Sequence, residues 1–100
     1  MITILKQPKD LKDNELSKIF DSVIDHSFDK WVLDDLRIEK NNGYGKNINV
    51  TTISCNLTGY YLWINEEYII KASSSEGFDV PLNMVKLFSC LLEIGAVKLN

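Results

Sequence analysis

Asp21, Asp25 and Asp29 stand four residues apart in a chain of 100 residues. On a helix that spacing stacks side chains on one face, so the row predicts three carboxylates in line, opposite an apolar stripe. Like charges at this separation cost an isolated helix about 0.3 kcal/mol per pair, and aspartate is a weak interior helix former. Stability alone does not favour such a row. A docking surface for a basic partner does, because opposite charge steers encounter and fixes register. The row belongs to a wider excess: residues 10–39 hold nine acids against four bases, a local charge of -5 in a chain of net charge -3. Asp34, Asp35 and Glu39 extend it. The competing reading is an ordinary solvated face that keeps the protein dissolved.

Paired carboxylates also serve acid–base catalysis or divalent cations. Asp34 and Asp35 read as strand neighbours, which point to opposite faces. Asp21 and Asp25 lack a third ligand, and the DxDxDG calcium loop is absent. The one histidine, His26, lies in Asp25-His26-Ser27. Adjacent helix residues diverge in direction, so this tripeptide is not a triad, and a single histidine excludes a multi-histidine metal site within one chain. Cys55 and Cys90 form no CxxC and no zinc-ligand spacing; they read as small core residues of a reducing compartment, with a single bridge left open. Gly43-Tyr44-Gly45-Lys46 lacks the spacing and the following helix of a phosphate loop and reads as a hairpin turn. Ser73-Ser74-Ser75 reads as a solvated loop. No catalytic residue, metal or cofactor is assigned.

Tyr44, Tyr60, Tyr61, Trp63 and Tyr68 form an aromatic set. Strand aromatics stack single-stranded bases when basic residues stand beside them. Here Glu66 and Glu67 flank the rings, and the pI is about 5.0, which argues against nucleic acid and against anionic lipid. Alternation gives Tyr61 and Trp63 one face, and Leu62 and Ile64 the other. One face is core. The other is either covered by helices or exposed, and an exposed face offers Tyr44, Tyr61 and Trp63 as anchors for a protein partner.

The elements that position these residues follow from periodicity. Residues 2–6 are β-prone and stop at Pro8. Asp10 to Phe28 reads as a helix, with Leu16, Ile19, Phe20, Val23, Ile24 and Phe28 on one face and Asp10 or Asp13 as its cap. Trp31–Lys40 reads as a strand, Asn41–Gly45 as a turn and Asn47–Leu57 as a second strand. Thr58-Gly59 turns the chain into Tyr60–Ala72, one long strand or a hairpin bent at Asn65-Glu66-Glu67. A second helix spans about Asp79 to Ile94, capped by Asp79 or Val80 with Pro81 in its first turn. Its broad apolar arc predicts a well-buried helix. Gly95 stops it, and Ala96–Leu99 suits a final edge strand.

The fold expected is α+β: a single domain of residues 1–100, with a mainly antiparallel sheet and two helices packed on it. The order is β-α-β-β-β-α with room for a last strand, and a ferredoxin-like arrangement with an extra hairpin is one topology that fits. Hydrophobic residues make up 45% and charged residues 25%, which excludes collagen-like and disordered classes. The start MITILKQPKD carries too short an apolar run for a secretion signal, and no run approaches a membrane span; the expected setting is the cytoplasm. In size, charge and setting the chain resembles bacterial immunity proteins, antitoxins and phage-encoded inhibitors, a resemblance of general character rather than of motif. It implies a small binding protein that neutralises a basic macromolecular partner such as a toxin nuclease. In that reading Asp21, Asp25, Asp29, Asp34, Asp35 and Glu39 meet the basic surface, and Tyr44, Tyr61 or Trp63 anchor it. Two other classes stand beside it. One is a ligand-binding protein or enzyme using His26, Cys55, Cys90 and the tyrosines; the other is a subunit that self-associates into a homo-oligomer through the aromatic strand.

Overall fold

The computed structural model describes residues 1–40 and 49–100 of the chain. The expected turn at 41–45, the start of the second strand reading and Tyr44 lie outside the described residues. Four strands form an antiparallel meander: β2 (Leu36–Glu39), β3 (Val50–Cys55), β4 (Tyr60–Asn65) and β5 (Ile70–Ser74). The region Tyr60–Ala72 is therefore a hairpin. Asn65 shapes its turn, its Oδ1 accepting the Glu67 and Ile69 amides at 2.9 Å each. Short strands β1 (Ile2–Ile4) and β6 (Val97–Leu99) pair antiparallel in a separate ribbon that joins the two ends of the chain. The fold is α+β, as the periodicity predicts. The ferredoxin-like topology is not what forms, because the four-stranded order is sequential and the terminal strands stay out of that sheet.

The register sorts side chains strictly. Ile38, Ile53, Leu62 and Ala72 line up on the inner face. Arg37, Ser54, Tyr61 and Ser73 make one row across the outer face, and Glu39, Thr52, Trp63 and Lys71 make the next. Helix α1 (Asp13–Val23) packs against the inner face, and α3 (Met84–Glu93) packs on α1 and β6; both share one core with Ile53, Cys55, Leu62 and Ile64. From α1 come Leu16, Ile19, Phe20 and Val23, all fully buried at the spacing the periodicity predicts.

Helix α1 ends earlier and α3 begins later than expected, for one shared reason. Ile24 turns extended and forms an antiparallel bridge with Leu82. The Asn83 amide donates to the Val23 carbonyl at 2.6 Å, and the Asp25 amide to the Pro81 carbonyl at 3.4 Å. These bonds replace the next helical turn of α1 and hold Val80–Leu82 out of α3. The cap of α3 is accordingly Asn83, whose Oδ1 accepts the Lys86 amide at 3.0 Å, not Asp79 or Val80, and Pro81 precedes the helix. At α1 neither Asp10 nor Asp13 caps. Lys12 holds that position, and the Glu15 carboxylate accepts its amide at 2.9 Å. Gly95, at φ 76°, ends α3 in the left-handed conformation that glycine tolerates.

Two further expectations are corrected. Residues 30–33 form a single helical turn, α2 (Lys30–Leu33), so the strand reading of Trp31–Lys40 holds only for β2. Helix α3 buries Leu87, Cys90 and Leu91 but leaves Met84, Val85 and Leu92 exposed. Its apolar arc is wider than the single side its neighbours cover. Cys55 and Cys90 are both buried free thiols.

Candidate functional site

The acidic row is rearranged by the early end of α1. Only Asp21 lies on the helix; Asp25 and Asp29 lie in the segment that leads from the Ile24 bridge to α2. The three carboxylates therefore do not share a helical face. Asp34 and Asp35 are not strand neighbours either. They follow α2 directly, with Asp34 still in helical conformation and its amide bonded to the Lys30 carbonyl at 2.9 Å.

This path builds a different cluster. Trp31 sits in the α2 turn with 60% of its surface exposed. Its indole N–H donates to Asp29 Oδ2 at 3.2 Å. Asp34 and Asp35, both exposed, follow on the turn between α2 and β2. Asp21 and Asp34 line one shallow groove with Lys18, Lys30 and Leu33. Asp21 and Asp34 thus meet in that groove, while Asp29 holds the Trp31 indole and Asp35 follows Asp34 on the exposed turn. Among the described residues, none of these four makes an ion pair. Asp25, beside them, is engaged by Lys86 at 3.6 Å.

The remaining candidates lie elsewhere. Tyr61 and Trp63 meet edge to face on the outer side of the sheet, ring centroids 5.7 Å apart, away from the face that α1 covers. Trp63 is 40% exposed. Glu39 shares that face and pairs with Arg37 at 3.1 Å. The candidate residues thus fall on two surfaces rather than one. Trp31 belongs to the first and was absent from the aromatic set. The signal for it in the sequence is a lone tryptophan flanked on both sides by the acids Asp29, Asp34 and Asp35.

The other chemistry-bearing groups are occupied by structure. His26 is exposed, and its ring lies edge-on against Phe28 at 4.8 Å. Phe28 in turn packs on Phe20 and Tyr60. Cys55 Sγ faces the Val32 carbonyl at 3.8 Å. Burial pushes the Cys90 thiol above its ordinary value, against a hydrogen bond from Ser22 that lowers it. In the serine run, Ser74 Oγ accepts the Phe78 amide at 2.9 Å and closes the turn. Among the described residues no three His, Cys, Asp or Glu side chains converge to hold a metal ion, and every buried side-chain nitrogen or oxygen has a partner. No helix among them is long and apolar enough to cross a membrane.

No family model matches the chain, and neither a curated protein nor a solved structure shows significant similarity to it.

Proposed function

We propose that the protein is a small cytoplasmic binding module that docks a basic macromolecular partner and neutralises it, in the manner of an immunity protein, antitoxin or phage inhibitor. The docking surface is the corner between α1 and α2. The observation that carries this reading is an exposed tryptophan, Trp31, whose indole is held by Asp29 on the same short turn that carries Lys30, Leu33 and Asp34 into a groove with Asp21. A large apolar ring bordered by like charges suits a partner that supplies a desolvated pocket and the opposite charge. Tryptophan is enriched among the residues that dominate interface energies. The test is affinity capture from lysate of the native host with the wild-type protein and an Asp29→Lys/Asp34→Lys/Asp35→Lys variant. A basic protein retained by the first, released by salt and missing from the second supports the reading. Equal retention by both, or none by either, contradicts it.

A second reading rests on the outer face of the sheet. Exposed Trp63 and half-buried Tyr61 form an aromatic pair there, and self-association would cover it. Sedimentation of the wild type and of Trp63→Ser separates the two: a mass that rises with concentration only in the wild type favours the homo-oligomer.

A further inference from the structure

We infer that two copies of the chain join edge to edge through β2, each strand running antiparallel to its copy about a two-fold axis at Ile38, so that two four-stranded sheets become one. This inference is independent of the docking proposed above. It also differs from the second reading there, because it joins sheet edges and leaves the Tyr61–Trp63 pair uncovered.

Strands β2 and β5 are the two edges of the meander. The Asn65 amide donates to the Ile69 carbonyl at 3.1 Å, and the Ser75 amide to the Gly59 carbonyl at 2.8 Å. Odd-numbered residues therefore carry the bonds between β4 and β5. Successive residues of an antiparallel strand aim their backbone groups to opposite sides, and the registers carry this alternation across the sheet. Arg37 and Glu39 bond to β3, while Leu36 and Ile38 turn their N–H and C=O outward. Among the described residues, no backbone group bonds to these outward groups. The Leu36 and Ile38 side chains are half-buried, whereas Ile53 and Leu62, in the same inner row as Ile38, are fully buried. An added strand would pair this backbone and finish covering the inner face.

The strand that fits this edge is its own copy. β2 reads Leu36-Arg37-Ile38-Glu39. Antiparallel pairing about Ile38 sets Ile38 opposite the partner's Ile38, where the two exchange N–H···O=C bonds. It also sets Arg37 opposite the partner's Glu39, and Glu39 opposite the partner's Arg37. Arg37 and Glu39 pair within the strand at 3.1 Å, so two copies bring four alternating charges together on the outer face. Opposite charges directly across a strand pair stabilise it, and like charges oppose it. A strand paired with its own copy is a closed, two-fold contact. Strand β5 is less suited. The chain folds back over its end, the Gly77 amide donating to the Ser74 carbonyl at 3.1 Å and the Phe78 amide to Ser74 Oγ at 2.9 Å. Its one charge, Lys71, has no opposite charge on the strand.

The experiment is sedimentation of the full chain at rising concentration, with circular dichroism of each variant. The wild type should move from monomer to dimer. Arg37→Glu and Glu39→Arg each make the crossing pairs repulsive, and each should weaken the dimer about tenfold. Both side chains lie on the outer face, so the fold of each variant should match the wild type. The two single variants mixed in equal amounts should dimerise with one another, and Arg37→Glu/Glu39→Arg should dimerise with itself, because each arrangement restores opposite charges across the axis. A role confined to folding would not produce recovery in the mixture. Trp63→Ser should dimerise as the wild type does. A wild type that stays monomeric at every concentration overturns the inference. A dimer that survives both single reversals overturns it too, as do single variants that remain monomers when mixed. A dimer lost in Trp63→Ser alone overturns it in favour of association through the sheet face.

Discussion

The Trp31 indole N–H donates to Asp29 Oδ2 at 3.2 Å, across the first residues of a single helical turn. Asp29 stands at the N-cap position of α2, yet its side chain accepts no helix amide. Its carboxylate is used to hold the ring. Removing it should therefore affect the ring more than the fold. Asp29→Ala is expected to change unfolding free energy by less than about 1 kcal/mol. In a Trp63→Phe background it should lower the fluorescence anisotropy of Trp31, because the ring loses its tether. Unchanged anisotropy would show that Asp29 does not orient it.

Phe20 ties the helical layer to the segment that carries the site. It is fully buried in α1 and packs on Phe28 at 5.3 Å between centroids. Phe20→Ala should destabilise by about 3–5 kcal/mol in urea unfolding, through lost burial and a cavity. Val85→Ala, on the exposed side of α3, should stay within about 0.5 kcal/mol. Comparable losses at both positions would mean that α3 is covered on its outer side.

Asn83 and Gly95 bound α3 by distinct means. Asn83→Ala removes the acceptor for the Lys86 amide and should cost about 1 kcal/mol. Gly95→Ala places a side chain at φ 76° and should also cost about 1 kcal/mol. The two sites lie at opposite ends of the helix, so the double variant should show the sum. Thermal or urea unfolding of the three variants checks this.

Tyr68 supplies a pH dependence. It is buried, adopts φ 60° in the β4–β5 turn, and its hydroxyl donates to the Lys6 carbonyl at 2.5 Å. Burial, with the negative charges of Asp10 and Glu15 nearby, raises its pKa well above the ordinary tyrosine value. The folded chain keeps this proton where the unfolded chain releases it. Its contribution to stability is therefore complete below about pH 10 and is lost as pH rises above it. Tyr68→Phe should cost about 1 kcal/mol at neutral pH and should fall less steeply than the wild type between about pH 9 and pH 11. Parallel slopes in urea titrations would contradict the assignment.

The parts of this architecture legible in the sequence are those set by local pattern. Leu16, Ile19, Phe20 and Val23 announce the buried side of α1. The alternation of Tyr61 and Trp63 with Leu62 and Ile64 separates the two faces of β4. Gly95 marks the end of α3. What escaped was set by distant partners. No glycine or proline follows Val23, so nothing local stops α1. The stop is the Ile24–Leu82 bridge, whose members are 58 positions apart, and the same bridge delays α3. Apolar periodicity reports which residues can be buried and not whether a neighbour arrives, which is why it predicts more of α3 buried than its neighbours cover. The acids of the site were evident from charge alone. Their grouping was not, because Asp21 meets Asp34 only after the chain has left α1 and turned through α2.

The central claim is that a basic ligand docks at the α1–α2 corner. The chain has two tryptophans, so a 15N spectrum shows two indole N–H signals, one at the corner and one on the outer face of the sheet. Titration with hexa-arginine, and then with any captured basic partner, should move the Trp31 indole signal and the amides of Asp21 and residues 29–35. The Trp63 indole should stay in place. Movement confined to Trp63 and its strand neighbours, or spread evenly over the acids of the chain, would contradict the account.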